Sequence, residues 1–266
     1  SSEGGNSPSL ASHHPERTLR SIATMRTRRL LFLILIGLTA TLAMPGLASQ
    51  APTRADIVKL MAEAATYQPG QSREPFGRIE ELVRQSSPAV RKQLEAGLVR
   101  LLAPTSTFEA RRFACKQLGV IGSKSALPAL GELLKSEETA GIACLALTTY
   151  PPGKADEILR AALPSARATA RIQIINTLGD RRDAKAVKLL TQLAGDADSS
   201  VARAALAALG KVGNQAAWKA IASFSKDADP VLQPALTEAN LRHADALAAS
   251  GDRKAAADIY EQLLAP

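Results

Sequence analysis

A pattern that returns every 29–31 residues constrains the fold of this chain more than any other feature of its sequence. An anchor leucine recurs at this spacing through the middle of the chain, at Leu118, Leu147, Leu178 and Leu209. A second apolar series keeps the same step, at Leu134, Leu163, Leu193 and Phe224. Self-similarity at a fixed period of this length is typical of a solenoid, in which each repeat needs its neighbours to bury an apolar face.

The clearest repeat occupies residues 200–224 and predicts two short helices joined by a tight turn. Its apolar residues fall at helical spacing in both halves, and Gly210 and Gly213 interrupt that spacing between them. We predict that these glycines end the first helix, because glycine readily adopts the left-handed backbone found at helix ends. Asn214 is then placed to cap the second helix.

Aspartate pairs recur in the turns between repeats, at Asp196 with Asp198 and at Asp227 with Asp229. Such pairs occur in calcium loops, but these turns lack the further oxygen ligands that a calcium loop supplies. We interpret the aspartates as caps for the helices that follow, with Pro230 as a first helical residue. The sequence predicts no metal site.

Three segments resemble the short HEAT repeat of about 30 residues, often called the PBS-lyase HEAT-like repeat. They are VARAALAALGKVGNQAAWKAI and, more loosely, ARIQIINTLGDRRDAKAVKLL and EARRFACKQLGVIGSKSALPALGELL. The resemblance covers residues 108–230 and implies an all-α, right-handed α-solenoid of about five or six antiparallel helix pairs. An aromatic content of 3% also leaves little material for a sheet core. In one repeat, residues 148–152 replace the Leu-Gly pair with TTYPP, which predicts a kink or a longer turn.

The first 48 residues predict a leader. We expect residues 1–24, which are polar and aperiodic, to be disordered, and our hypothesis is that translation starts at Met25. A basic run, an apolar stretch over residues 30–43 and small residues before a cut after Ala48 or Ala51 are typical of a secretory signal peptide. An uncleaved membrane anchor is the weaker alternative, because a spanning helix needs about 20 apolar residues. The leader predicts export to the periplasm or the cell exterior.

The two ends of the repeat array depart from its pattern. Residues 52–103 predict three helices that form a capping repeat. Residues 231–266 predict a helical hairpin, which is either a last HEAT-like unit or similar to half of a tetratricopeptide hairpin. Its final helix carries an apolar stripe that indicates either continuation into a longer protein or self-association through this helix. The stripe consists of Ala256, Ile259, Tyr260, Leu263 and Leu264.

Residues suited to catalysis are scarce. Beyond the leader the only histidine is His243, which we interpret as a solvated surface residue, so the sequence offers no nucleophile–histidine arrangement and no zinc site. Cys115 and Cys144 occupy equivalent positions in adjacent repeats. We predict core residues rather than a disulfide, since stacked helices lie about 8–10 Å apart and bridged Cα atoms about 7 Å or less. No catalytic residue, metal or cofactor is predicted.

The candidate partner-binding residues lie on the second helices of the repeats. Trp218 is interpreted either as ridge packing or as a binding hot spot, a role in which tryptophan is enriched. The candidate basic residues are Arg160, Lys185, Lys188 and Lys219. Loss of the leader removes five arginines and two glutamates, so the net charge falls from +8 to +5. We therefore interpret the second helices as a solvated ridge of mixed charge and not as a groove that binds nucleic acid. A nucleic-acid groove would also need more aromatic residues to stack on bases.

Together these features predict an exported, non-catalytic scaffold that binds a protein partner on one face of the solenoid. The resemblance allows two alternatives: a lyase-like enzyme of the kind that attaches bilins to phycobiliproteins, or the N-terminal repeat module of a larger exported oxidoreductase or haem-binding protein. A third alternative is nucleic-acid binding through a basic concave face, since the resemblance places the second helices on the concave side.

Overall fold

A computed structural model describes residues 52–224 and 229–264. The predictions for residues 1–24 and for the leader at residues 25–48 lie outside these ranges. Every regular element within them is a helix. In chain order, the α-helices are α1 (Arg54–Ala65), α2 (Glu74–Gln85), α3 (Pro88–Leu101), α4 (Phe108–Ile121), α5 (Leu127–Leu133), α6 (Glu137–Thr148), α7 (Lys154–Ala162), α8 (Ala168–Asp180), α9 (Val187–Ala194), α10 (Ser199–Val212), α11 (Gln215–Phe224), α12 (Gln233–Ser250) and α13 (Arg253–Leu264).

The helices form a two-layered solenoid that is one compact unit. In the first layer α1, α3, α4, α6, α8, α10 and α12 each pack on the next. The remaining helices form the second layer, where α5, α7, α9 and α11 each pack on the first-layer helix that follows. This gives six helix pairs, with α3 as an additional first-layer helix, and it confirms the predicted all-α solenoid. Among the described helices, none combines the length and the apolar character of a membrane span.

The repeat register corresponds to the buried core. All four anchor leucines, Leu118, Leu147, Leu178 and Leu209, have no exposed surface. The second apolar series is less uniform, because Leu134 and Leu163 are buried whereas Leu193 and Phe224 are half-buried against the core. The 29–31 residue period therefore marks mainly where the first-layer helices meet the centre of the solenoid.

The turn between α10 and α11 confirms one glycine prediction and corrects the other. Gly213 ends α10 in the left-handed conformation, with φ at 64°, and the Asn214 side chain accepts a hydrogen bond from the Ala217 amide at 2.8 Å. Gly210, in contrast, lies inside α10, which continues to Val212. The prediction that Gly210 ends the helix was wrong, because its backbone is helical and its role lies in packing.

The glycine of the Leu-Gly pair lets successive first-layer helices approach closely. A Cβ atom on Gly179 would lie 2.8 Å from the Ala208 Cα, and one on Gly210 would lie 3.3 Å from the Ala239 Cα. Each glycine thus faces a small residue on the next first-layer helix. A side chain at Gly179 would force the two helices apart, and one at Gly210 would require a smaller shift of its neighbour.

The irregular repeat is held by one arginine. α6 ends at Thr148, and the predicted interruption follows before α7 begins. Arg181, which directly follows α8, donates hydrogen bonds from Nε to Asp156 and from Nη1 to the carbonyl oxygens of Leu147 (2.6 Å) and Tyr150 (2.8 Å). Its side chain is only 4% exposed. A single guanidinium therefore ties Asp156 to backbone carbonyls at and just after the C-terminal end of α6, where helical hydrogen bonds run out.

Asp198 and Asp229 cap the segments that follow them, as predicted, whereas Asp196 accepts a hydrogen bond from the Asp198 amide within the turn. The carboxylate of Asp198 accepts a hydrogen bond from the Ser200 amide at 2.8 Å at the start of α10. Asp229 accepts one from the Val231 amide at 2.9 Å, at the start of a short 3-10 turn that precedes α12. Asp227 lies outside the described residues.

Both cysteines are free and buried in the first layer, as predicted for core residues. Burial raises the pKa of the Cys115 thiol to about 12 and that of the Cys144 thiol to about 11. The two thiols are therefore protonated and unreactive near neutral pH.

Candidate functional site

A groove with a volume of about 1070 Å³ runs along the C-terminal part of the solenoid, lined by residues of α11, α12 and α13. α12 packs against both of the other helices and forms the floor. A hydrogen bond of 2.6 Å from the Tyr260 hydroxyl to Asp245 joins α13 to α12. The groove exists because α13 lies along α12 and leaves open the space beside α11.

The floor presents one regular stripe of side chains. Its members alternate in steps of four and three residues, which places them on one face of the helix. They are Leu236, Asn240, His243, Leu247 and Ser250. The stripe runs along most of α12, with apolar residues at Leu236 and Leu247 and polar residues at Asn240, His243 and the terminal Ser250.

The walls add further apolar surface. On the α11 side the groove is lined by Trp218 and Ala222, and on the α13 side by Ile259 and Leu263. Ile259 and Leu263 are half-buried. The groove thus receives part of the apolar stripe that the sequence predicts for the final helix.

The central feature of the groove is a stacked aromatic pair. The rings of Trp218 and His243 are 4.3 Å apart between centroids and inclined by 14°. Both side chains are half-buried, so the interpretation of His243 as a solvated surface residue was wrong. The stacking shields one face of the imidazole, and this burial lowers the pKa of His243. The histidine is therefore neutral at pH 7.

The position of Trp218 depends on the turn before α11. Gly213 has a left-handed backbone, and a Cβ atom there would lie 3.3 Å from the indole ring. Trp218 belongs to the first turn of α11, which the Asn214 cap holds in place. The tight turn of the clearest repeat thus orients the tryptophan over the floor of the groove.

The charge of the groove is one-sided. Lys219 is exposed, and the lining contains no aspartate or glutamate. A smaller cleft of about 500 Å³ adjoins the groove at Trp218 and is of mixed charge, since its charged residues are Arg182, Lys211, Arg242, Asp180 and Asp245. Lys211 pairs with Asp180 at 2.7 Å. Lys219 and Arg182 are left without an ion-pair partner among the described residues.

Of the residues predicted to bind a partner, the structure brings Trp218 and Lys219 together in the groove. Lys185 and Lys188 are exposed near the start of α9, away from the groove lining. The sequence analysis missed His243 and the rest of the α12 stripe. The four–three spacing along residues 236–250 is the signal that could have revealed them.

Arg160 has an internal role in the structure. Its Nη1 donates to the Asp183 carboxylate, and the two side chains are 17% and 7% exposed. Asp183 also accepts a hydrogen bond from the Lys185 amide at 3.1 Å, at the start of the 3-10 turn before α9. The pair therefore fastens α7 to the following repeat, and it neutralises the charge of Arg160.

The described residues contain no group of three or more histidine, cysteine, aspartate or glutamate side chains that could hold a metal ion. Within the groove His243 faces an indole and no carboxylate. The groove therefore offers a largely apolar surface with one lysine, Lys219, at its side, and such a surface is suited to binding a partner.

Part of the chain is similar to a known family of repeats. Residues 155–242 match the family model of HEAT repeats. A solved structure of human deoxyhypusine hydroxylase in complex with glycerol is 15% identical, with a TM-score of 0.39, and the match covers 71% of this chain and 96% of that one. No curated protein sequence matches the chain. The family match confirms the predicted resemblance to HEAT repeats over residues 155–242.

Proposed function

We propose that this chain of HEAT repeats is an exported, non-catalytic scaffold that holds a protein partner in the groove formed by α11, α12 and α13. The observation that carries the proposal is the stacked pair of Trp218 and His243, set in an apolar groove whose lining has no carboxylate. Tryptophan is among the residues most enriched in interface hot spots, especially where neighbouring contacts exclude water.

The groove is preorganised for binding. Trp218 is fixed by its stack on His243 and by the Gly213 turn, so little side-chain entropy remains to be lost on association. Acid–base catalysis requires titratable groups placed close together. The groove lining has no aspartate or glutamate, and its histidine stacks on an aromatic ring. These features support a binding role over the lyase-like alternative.

Two other elements of the proposal have separate support. Export rests on the basic, apolar and small-residue regions of residues 25–48. A protein partner is favoured over nucleic acid because Lys219 is the only lysine or arginine in the groove lining. Nucleic-acid binding depends on contacts with many phosphates.

Position-specific photocrosslinking in the producing cells tests this proposal. A benzophenone amino acid replaces Lys219 in one variant and Lys92, an exposed lysine of α3, in a matched control. We expect the Lys219 variant to form one discrete adduct with a second protein and the Lys92 variant to form none. Equal labelling at both positions, or no adduct at either, would contradict a groove-based scaffold.

A further inference from the structure

We propose that the groove receives an amphipathic α-helix of the partner, with an apolar face on α12 and carboxylates along the flank that meets Lys219. This inference rests on the proposed scaffold function and specifies the chemistry of the partner. It follows from three properties of the groove, namely its spacing, its polar centre and its charge.

The spacing of the floor favours a helix over an extended peptide. Side chains that alternate by four and three residues form the seam on which a second helix packs side by side. From Gln233 to Ser250 the floor is about 26 Å long at 1.5 Å per residue, enough for about 17 residues of a bound helix. Elsewhere in the second layer α9 and α11 pack directly on each other, whereas the space between α11 and α13 is open.

The polar centre sets the register of the bound helix. Leu247 is half-buried and supplies an apolar contact beside His243, whereas Leu236 is almost wholly buried below the other end of the stripe. The Asn240 amide forms no side-chain hydrogen bond to any described residue, so it is free to bond to a partner. A polar residue within an apolar seam fixes register at some cost in affinity. The partner helix therefore carries a leucine-like residue opposite Leu247 and a small or polar residue opposite Asn240.

The positive charge of the groove favours a partner helix with acidic residues along one side. Lys219 stands on the α11 wall, and Arg182 lies in the adjoining cleft, both without an ion-pair partner among the described side chains. No carboxylate lines the groove to attract a basic helix. Opposite charges across an interface accelerate association and exclude like-charged competitors. A helix with glutamates on the α11 side places a carboxylate opposite Lys219.

The test uses two synthetic helical peptides of about 18 residues. Both carry leucines at four–three spacing with a central asparagine and lack tryptophan; one has glutamates on its flanks and the other lysines. Each is titrated into the full chain at low salt, and binding is read from the fluorescence of Trp218, the only tryptophan of the protein. We expect saturable binding of the acidic peptide, at least about tenfold tighter than that of the basic one.

Charge reversal provides the matched comparison. Lys219→Glu should lower the affinity for the acidic peptide by about tenfold and raise the affinity for the basic peptide. Lys92→Glu, the same change on α3, should leave both affinities unchanged. Equal affinity for the two peptides, equal effects of the two variants, or no binding of either peptide would overturn the inference. Tight binding of a single-stranded oligonucleotide in the same assay would also overturn it.

The outcomes separate the two proposals. If the peptides fail but the Lys219 crosslink still captures a single protein, the scaffold function stands and the helical partner is excluded. If the crosslink also fails, both proposals fall.

Discussion

Single glycines determine how closely the repeats of this solenoid stack. Gly179 lies in α8 opposite Ala208, and the two helices meet with no room for a side chain between them. Gly77, in α2, is a natural comparison, because a Cβ atom there would meet nothing within 4 Å. Both residues have helical backbone, so they differ in packing and not in conformation.

We therefore predict opposite effects of the same substitution at these two sites. Gly179→Ala should lower the free energy of unfolding by about 1–3 kcal/mol, because the new methyl group forces α8 and α10 apart. Gly77→Ala should raise it by about 0.5–1 kcal/mol through better helix propensity. Urea denaturation followed by circular dichroism measures both. A neutral or stabilising Gly179→Ala would show that the close helix contact carries no energetic weight.

At the scale of the secondary-structure elements, the connection between α6 and α7 depends on Arg181. Burial alone would raise the pKa of Asp156, but the hydrogen bonds and charge of Arg181 outweigh it and hold the pKa below its usual value. A carboxyl whose folded pKa is depressed stabilises the fold above its unfolded pKa, and this contribution is lost as the pH falls.

Removal of Arg181 should therefore be costly and pH-dependent. Arg181→Met leaves the Asp156 carboxylate buried without its cation and should lower the free energy of unfolding by about 3–5 kcal/mol at pH 7. The deficit should shrink as the pH falls, because burial raises the pKa of Asp156 once Arg181 is gone, and protonation then removes the unpaired charge. Urea titrations at several pH values provide the measurement, with Arg91→Met, at an exposed site of α3, as the control. A deficit that is constant across this range would argue against the ion pair.

At the scale of the whole molecule, the repeat period predicts the array well, because the anchor leucines recur in each repeat and are all buried. The function of Gly210 could not be read in the same way. Glycine both permits left-handed backbone and lacks a side chain, and the sequence does not say which property is used. The groove was missed for a different reason. It depends on where α13 packs, and that region lies beyond the regular period.

Burial is also uneven along the solenoid. α4 contributes seven buried residues to the core, whereas α11 contributes two and α13 only Ala256. In a solenoid each repeat contacts only its neighbours, so an end with little buried surface can open while the centre stays folded. The chain contains reporters for both regions, with Trp218 near the C-terminal end and the two buried cysteines nearer the centre.

We predict that the C-terminal helices unfold at lower urea concentration than the central repeats. Trp218 fluorescence should change first, because opening of α11–α13 separates it from His243. Labelling of Cys115 and Cys144 by a short pulse of thiol reagent at pH 8 should begin only at higher urea, since their raised pKa keeps the folded thiols protonated. Cys115→Ala and Cys144→Ala variants assign each thiol. Coincident transitions for the two probes would instead show that all six helix pairs unfold as one cooperative unit.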